Sequence, residues 1–297
     1  MRIAFSVLLM GAAAPALAAL NIFACTPEWG ALAKEIGGDK VSVYTATTAL
    51  QDAHHIEARP SLIARARSAD LVVCTGAELE VGWLPLVQSQ SGNAKIQTGQ
   101  PGYFEAADLV ALIEKPARLD RSLGDIHASG NPHIHLDPRN VAEVAAGLGE
   151  RMAALDRADG GLFRERTKSF LDRWRTATAR WQEQAAPLKG MPVVVHHRDF
   201  TYLIAWLGMR EVGALEPKPG LPPSTASLAE LLAKIKGTPA KAVLRAAYND
   251  PRPSEWLAQR AGFPAVMLPY TVGGSEKAKD LFSLYDDTLA RLLAVAK

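Results

Sequence analysis

Short apolar runs alternate with stretches of helical periodicity twice along the chain. In the first half, residues 20–25, 41–47 and 70–76 predict buried strands, and residues 28–38, 60–69 and 82–90 predict helices, with Pro60 suited to a first helical turn. The second half repeats the scheme. Residues 192–195, 211–215, 242–244 and 265–268 predict strands, residues 200–207, 227–236 and 254–261 predict helices, and a terminal helix over 275–296 closes the chain. Alternation of this kind implies a parallel sheet in each half. Between the halves, residues 162–186 contain no Pro or Gly and place Phe163, Phe170, Trp174, Ala177 and Trp181 at helical spacing. They predict one helix of about seven turns, packed against both halves.

The fold class is therefore α/β: two Rossmann-like lobes with parallel sheets, joined by one long helix that limits hinge motion. The divisions are 19–155 for the N-terminal lobe, 156–189 for the linking helix and 190–297 for the C-terminal lobe. Ligands of open α/β sheets bind beyond the carboxyl ends of the strands. His54 follows the second strand of the first lobe and His197 the first strand of the second, so both fall on rims that face a cleft.

Residues 1–18 carry Arg2, the apolar run from Ile3 to Met10, and Ala16-Leu17-Ala18, a small-x-small cleavage pattern. This predicts a secretory signal peptide, a mature start near Ala19 and a periplasmic location. No later segment approaches the ~20 apolar residues of a membrane span. Ile22-Phe23-Ala24-Cys25 is a weaker match to a lipoprotein processing site, since the cleavage pattern lies upstream. Lys and Arg number 33 against 31 Asp and Glu, a net charge of +2 that becomes +1 when Arg2 is removed. Near-neutrality argues against nucleic acid or an anionic membrane surface as partner. Cys25 and Cys74 both end strand-like runs, and after export a pair of cysteines favours a bridge over reactivity. Whether they pair depends on whether those strands are neighbours.

The seven histidines fall in three polar segments: His54 and His55; His127, His133 and His135; His196 and His197. Neutral imidazole is the commonest side-chain ligand for zinc, and a tight site gathers several from distant parts of a fold. Three histidines with a water also describe a catalytic zinc, so a periplasmic zinc hydrolase is the rival reading. No His-Glu-x-x-His helix supports it, and Glu57 is the only evident candidate base. A purely structural zinc protein fits poorly, because two cysteines do not make a cysteine-rich closed site.

Asp52-Ala53-His54-His55-Ile56-Glu57-Ala58-Arg59-Pro60-Ser61 resembles the D-P-H-x-x-E-x-x-P-S motif of the cluster A-I substrate-binding proteins of zinc and manganese ABC transporters. Asn131-Pro132-His133-Ile134-His135-Leu136-Asp137-Pro138 is similar to their D/N-P-H-x-W-L-D-P motif, and His197-Arg198-Asp199-Phe200-Thr201-Tyr202 to their H-x-x-F-x-Y motif. The resemblance implies a receptor, not an enzyme, that captures Zn2+ and delivers it to the membrane permease of an ABC transporter. It implies His54, His133 and His197 as metal ligands. The manganese branch places a carboxylate where His197 stands, and three imidazoles suit zinc better than harder ions. A manganese or iron receptor is the alternative within the family. The expected protein is a monomer, and a periplasmic zinc chaperone is an open partner.

The chain departs from the motifs in three places. Ala53 stands for a proline. A long His- and Asp-rich loop is missing, with His127 alone near its place, either as a plain loop histidine or as an aid to capture. The last strand of the second lobe runs into Pro269-Tyr270-Thr271, where the family usually has a ligating aspartate. The fourth metal position is thereby open to water, Asp250, His55, His135 or Glu57, with Asp250 best placed by its strand.

Overall fold

The structure, a computed structural model, describes residues 19–116 and 124–296. The predicted signal peptide lies outside the described residues.

Four strands, β1 (Leu20–Ala24), β2 (Val41–Thr45), β3 (Leu71–Cys74) and β4 (Tyr103–Glu105), form one parallel sheet in the order β2-β1-β3-β4. Four more, β5 (Pro192–Val195), β6 (Arg210–Ala214), β7 (Ala242–Ala246) and β8 (Ala265–Leu268), form a second in the equivalent order β6-β5-β7-β8. Central strands such as β3 are buried on both faces, which is why they read as unbroken apolar runs. In each sheet the chain reverses its direction of build beside the first strand, and the loops there open a crevice.

Helices α1 (Pro27–Gly37), α2 (Pro60–Arg67) and α3 (Leu84–Ser91) flank the first sheet, each with Pro in its first turn. Helices α6 (Thr201–Leu207), α7 (Thr225–Lys236) and α8 (Pro251–Ala261) serve the second. Between the sheets run α4 (Pro138–Leu155) and the 25-residue α5 (Gly160–Gln184), the long helix that the sequence predicts. The buried face of α5 carries Phe163, Thr167, Phe170, Trp174, Ala177 and Trp181. Trp174 Nε1 donates to the Pro138 carbonyl of α4 at 2.7 Å, while Trp181 stacks on Tyr285 of α9 (Leu281–Val295), ring centroids 4.8 Å apart. One apolar core runs without a break from Ile22 and Trp29 through α4 and α5 to Val195, Leu244 and Leu284, so the lobes share their interior. Separating them exposes apolar surface at about 25 cal/mol per Å², which restrains wide hinge opening.

Three elements differ from expectation. β4 has only three residues, too short for a periodic signal. α4 went unpredicted because its inner face includes Ala145, Gly149 and Ala153, which weaken the apolar contrast. Those small residues let α5 approach: a Cβ on Gly149 would lie 2.1 Å from Thr167 Oγ1. α9 starts at Leu281 rather than 275, because Asp280 caps it, accepting from Ser283 N at 2.7 Å in a capping box.

Cys25 and Cys74 are disulfide-bonded, with Cα atoms 4.8 Å apart at the ends of the neighbouring strands β1 and β3. Lipidation of Cys25 would consume that sulfur and remove β1, so the bridge speaks against it. Closing a chain segment of 49 residues lowers the entropy of the unfolded state and so raises its free energy by about 4 kcal/mol at 25 °C in the loop-closure account. Reduction, or the C25A/C74A double substitution, should therefore lower the denaturant midpoint markedly and, by expanding the unfolded state, raise the slope. An unchanged midpoint in an equilibrium urea titration would contradict a stabilising bridge.

Candidate metal centre

Three loops at the carboxyl ends of strands bring imidazoles together. His54 lies in the loop after β2, where Asp52 Oδ1 accepts from both His54 N (3.0 Å) and His54 Nδ1 (2.7 Å), a local turn that orients backbone and ring at once. His133 precedes a 3-10 turn at Ile134–Leu136 that feeds α4, and its N donates to Asn131 Oδ1 at 3.0 Å. His197 follows β5, and its Nδ1 donates to Glu216 Oε2 at 2.8 Å, a residue beyond the end of β6. The ring centroids form a nearly equilateral triangle: 5.5 Å from His54 to His133, 5.7 Å from His54 to His197 and 5.6 Å from His133 to His197. One nitrogen of each lies within 4.8 Å of the others.

Each Nδ1 meets an oxygen. Asp52 serves His54, Glu216 serves His197, and the Tyr270 hydroxyl lies 2.9 Å from His133 Nδ1. Partners of this kind fix ring orientation and tautomer, leaving Nε2 to take an ion. Neither Glu216 nor Tyr270 was singled out as a site residue from sequence. Glu216 carries one readable signal, its place on the rim where strand ends gather. Tyr270 is buried, follows β8, and adopts φ +68°, a strained conformation for a bulky side chain. Its carbonyl accepts from His135 Nε2 at 3.0 Å, and the neighbouring Thr271 hydroxyl donates to Glu28 Oε2 of α1 at 2.6 Å. The tyrosine is thus held between the lobes.

Electrostatics follow from burial and these partners. Burial, reinforced by the charges of His54 and His197, holds His133 well below the usual imidazole range. Burial alone would lower His197 as well, but the hydrogen bond to Glu216 and the field of Asp199 outweigh it and bring its pKa to about 8. Burial would raise Asp52, yet its hydrogen bonds to His54 hold it well below the carboxylate range.

The four side chains proposed for the last metal position do not join this group. Asp250, expected to be best placed, caps α8 and spends both oxygens on Arg252 at 2.8 to 3.0 Å. His55 is 60 % exposed and bonds Asp52 Oδ2 at 3.2 Å. His135 is buried between the Tyr270 carbonyl and Glu28, whose Oε1 is 3.6 Å from its Nδ1. Glu57 is exposed. His127, by contrast, has its Nε2 3.1 Å from His54 Nε2. Burial and the charge of His54 lower its pKa to about 4.

Two α/β lobes with an imidazole cluster between them define a class, that of two-lobed receptors for a metal ion. The chain belongs to the family described as zinc-uptake complex component A, periplasmic, whose model matches residues 22–295. It is 22% identical over 259 residues to the manganese ABC transporter substrate-binding lipoprotein PsaA of Streptococcus pneumoniae, covering 86% of this chain and 81% of that protein. It is also 22% identical over 206 residues to the zinc-binding lipoprotein AdcA of Streptococcus pneumoniae, covering 68% of this chain and 40% of that one. The fold is similar to a crystal structure of ZnuA, with TM-score 0.71 and 20% identity over 94% of this chain and 96% of that chain.

Two outcomes follow from the hydrogen bonds to Nδ1. Y270F removes one hydroxyl and should weaken metal affinity about tenfold while leaving thermal stability near wild type; competition against a chromogenic chelator measures it, and unchanged affinity would show that the hydroxyl does not orient His133. The second concerns pH. A metal needs neutral His197, whose proton is held up to about pH 8, so affinity should be level above that value and fall as pH drops through it. E216Q removes the charge that raises this pKa, and the onset of the fall should move to lower pH. An onset shared by both proteins in titrations from pH 9 to 6 would contradict this assignment.

Proposed function

We propose that this protein is an extracytoplasmic Zn2+ receptor, which captures the ion between its lobes on His54, His133 and His197 and releases it to the permease of an ABC transporter. The observation that carries the reading is the convergence of three imidazoles, each with Nδ1 occupied by an oxygen partner and Nε2 left for the cargo. Membership of a family of substrate-binding components supports the transport role.

The donor set supports zinc over the manganese that one relative's name carries. Nitrogen donors follow the order in which affinity rises from manganese to zinc, and hard ions gain most from carboxylate oxygens. Here two nearby carboxylates, Asp52 and Glu216, serve the histidines, and a third, Asp199, accepts from the Tyr248 hydroxyl and lies outside the close imidazole group. The same fact counts against a hydrolase. A metal-activated water needs a base beside it, and Asp52 and Glu216 already bind imidazole N–H groups, while Glu57 is exposed.

Capture is ligand exchange: the ion sheds waters, His197 gives up its proton, and three lone pairs replace the hydration shell. Apart from that proton, no covalent bond of the protein is made or broken. Because the lobes share a core, the site is largely formed before the ion arrives, so little ordering entropy opposes binding.

Competition titration of the metal-free protein with zinc and manganese tests the assignment. Zinc should bind at one equivalent and more tightly by orders of magnitude, and H54A, H133A and H197A should each abolish most of that affinity. Equal affinity for the two ions would refute the zinc reading, whereas retention of zinc by all three variants would refute the site.

A further inference from the structure

We propose that His127 is the fourth ligand of the captured ion, an adjustable imidazole that completes a four-nitrogen site whose close group, among the described residues, contains no carboxylate. This inference rests on the three-histidine reading above and extends it.

The geometry begins with spacing. Zinc–nitrogen bonds of 2.0 to 2.1 Å in a tetrahedron put ligand nitrogens roughly 3.3 to 3.4 Å apart. His54 Nε2 and His127 Nε2 are 3.1 Å apart, and their ring centroids are 5.2 Å apart, similar to the spacings within the triangle. Two side chains 73 residues apart in sequence thus bring their metal-ligating atoms to nearly the separation that a shared ion imposes.

The segment that carries His127 is held over the site from both lobes. Ser129 Oγ donates to Glu78 Oε1 at 3.1 Å, tying one end to the loop after β3. Asp125 N donates to the Pro219 carbonyl at 2.9 Å, tying the other end to the loop after β6. Gly124 makes that second junction possible: its φ is +89°, and a Cβ there would lie 2.1 Å from Pro219 O. The backbone position of His127 is therefore defined, whereas its ring is less so.

His127 Nδ1 is buried and makes no close hydrogen bond, its ring being held only by a weaker interaction with the Ala77 backbone, whereas the Nδ1 atoms of His54, His133 and His197 each meet a side-chain oxygen. Its ring stands against His54 and is not part of the close group of three. The difference in anchoring separates two roles. Three imidazoles are fixed in advance, and the fourth can turn inward when an ion is present and outward when it leaves.

The proton accounting is consistent. Asp52 accepts the Nδ1–H of His54, so a neutral His54 offers a lone pair at Nε2 and His127 must supply the Nε2–H between them. Binding zinc ends that hydrogen bond. His127 then carries its single proton on Nδ1, with the Ala77 backbone at hand to accept it, and directs Nε2 at the metal, the proton being exchanged through solvent.

Metal-free wild-type, H127A and H197A proteins, each loaded with zinc or with cobalt(II) as a coloured substitute, test the proposal. H127A should lose about tenfold or more in zinc affinity, since even residues acting through a ligand reach that range. It should also release zinc faster to a chelator and change the intensity and position of the cobalt d–d bands, which report ligand type and number. A merely structural loop residue would leave the cobalt spectrum as it was. G124A, which displaces the loop while keeping His127, should move all three readouts in the same direction. If H127A matches wild type in affinity and spectrum while H197A loses zinc, water holds the fourth position and this inference falls. If H197A also keeps its zinc, the three-histidine reading itself fails.

Discussion

An imidazole can give a lone pair to a metal from one nitrogen only when its other nitrogen carries the proton, and a buried N–H needs an acceptor. Much of the organisation around the cleft follows from that requirement. Asp52 meets it within a single turn, two residues from His54. Glu216 meets it across two strands, since β5 delivers His197 and β6 delivers the carboxylate. His133 is served from the far end of the second lobe by Tyr270. A parallel sheet suits this arrangement because every strand ends on the same rim, so residues remote in sequence arrive side chain to side chain.

The shared core decides how such a site is used. α5 packs against both lobes, and beneath the cleft the polar contacts among Glu28, Thr271, His135 and Tyr270 join α1 of the first lobe to the loop after β8 of the second. These groups are buried, so pulling the lobes apart would strip them of partners as well as expose apolar surface. Release of a cargo from this frame therefore depends on small movements of loops and rings more than on a wide opening. In the proposed site that freedom belongs to the ring of His127, on a loop whose backbone is tied to Glu78 and Pro219.

The sequence made the scaffold legible because buried strands and an uninterrupted amphipathic helix leave strong patterns, and the histidine motifs carried the three central residues. What stayed hidden depends on distance in space. Tyr270 reads as an ordinary aromatic after a strand, and nothing near it in sequence announces a partner 137 residues away. His127 reads as an isolated loop histidine, since its neighbours Asp125 and Ser129 reveal their role only when Pro219 and Glu78 are seen beside them. Asp250 illustrates the reverse error. Its strand does end on the rim, but Asp-x-Arg at the head of a helix forms a cap and a local ion pair, which keeps the carboxylate at home.

The absence of a carboxylate in Pro269-Tyr270-Thr271, where a metal-binding one is expected, changes more than the ligand count. A carboxylate touching the ion would add negative charge and an oxygen donor, both of which favour hard divalent ions. A phenol placed behind His133 adds neither; it strengthens the claim of an imidazole that is already there. With Asp52 and Glu216 also behind their histidines, these three oxygen groups act on ring nitrogens. On the proposed reading, selectivity would come from keeping these oxygens one atom-layer back, so that the ion meets nitrogen and the negative charge of Asp52 and Glu216 is felt through the rings.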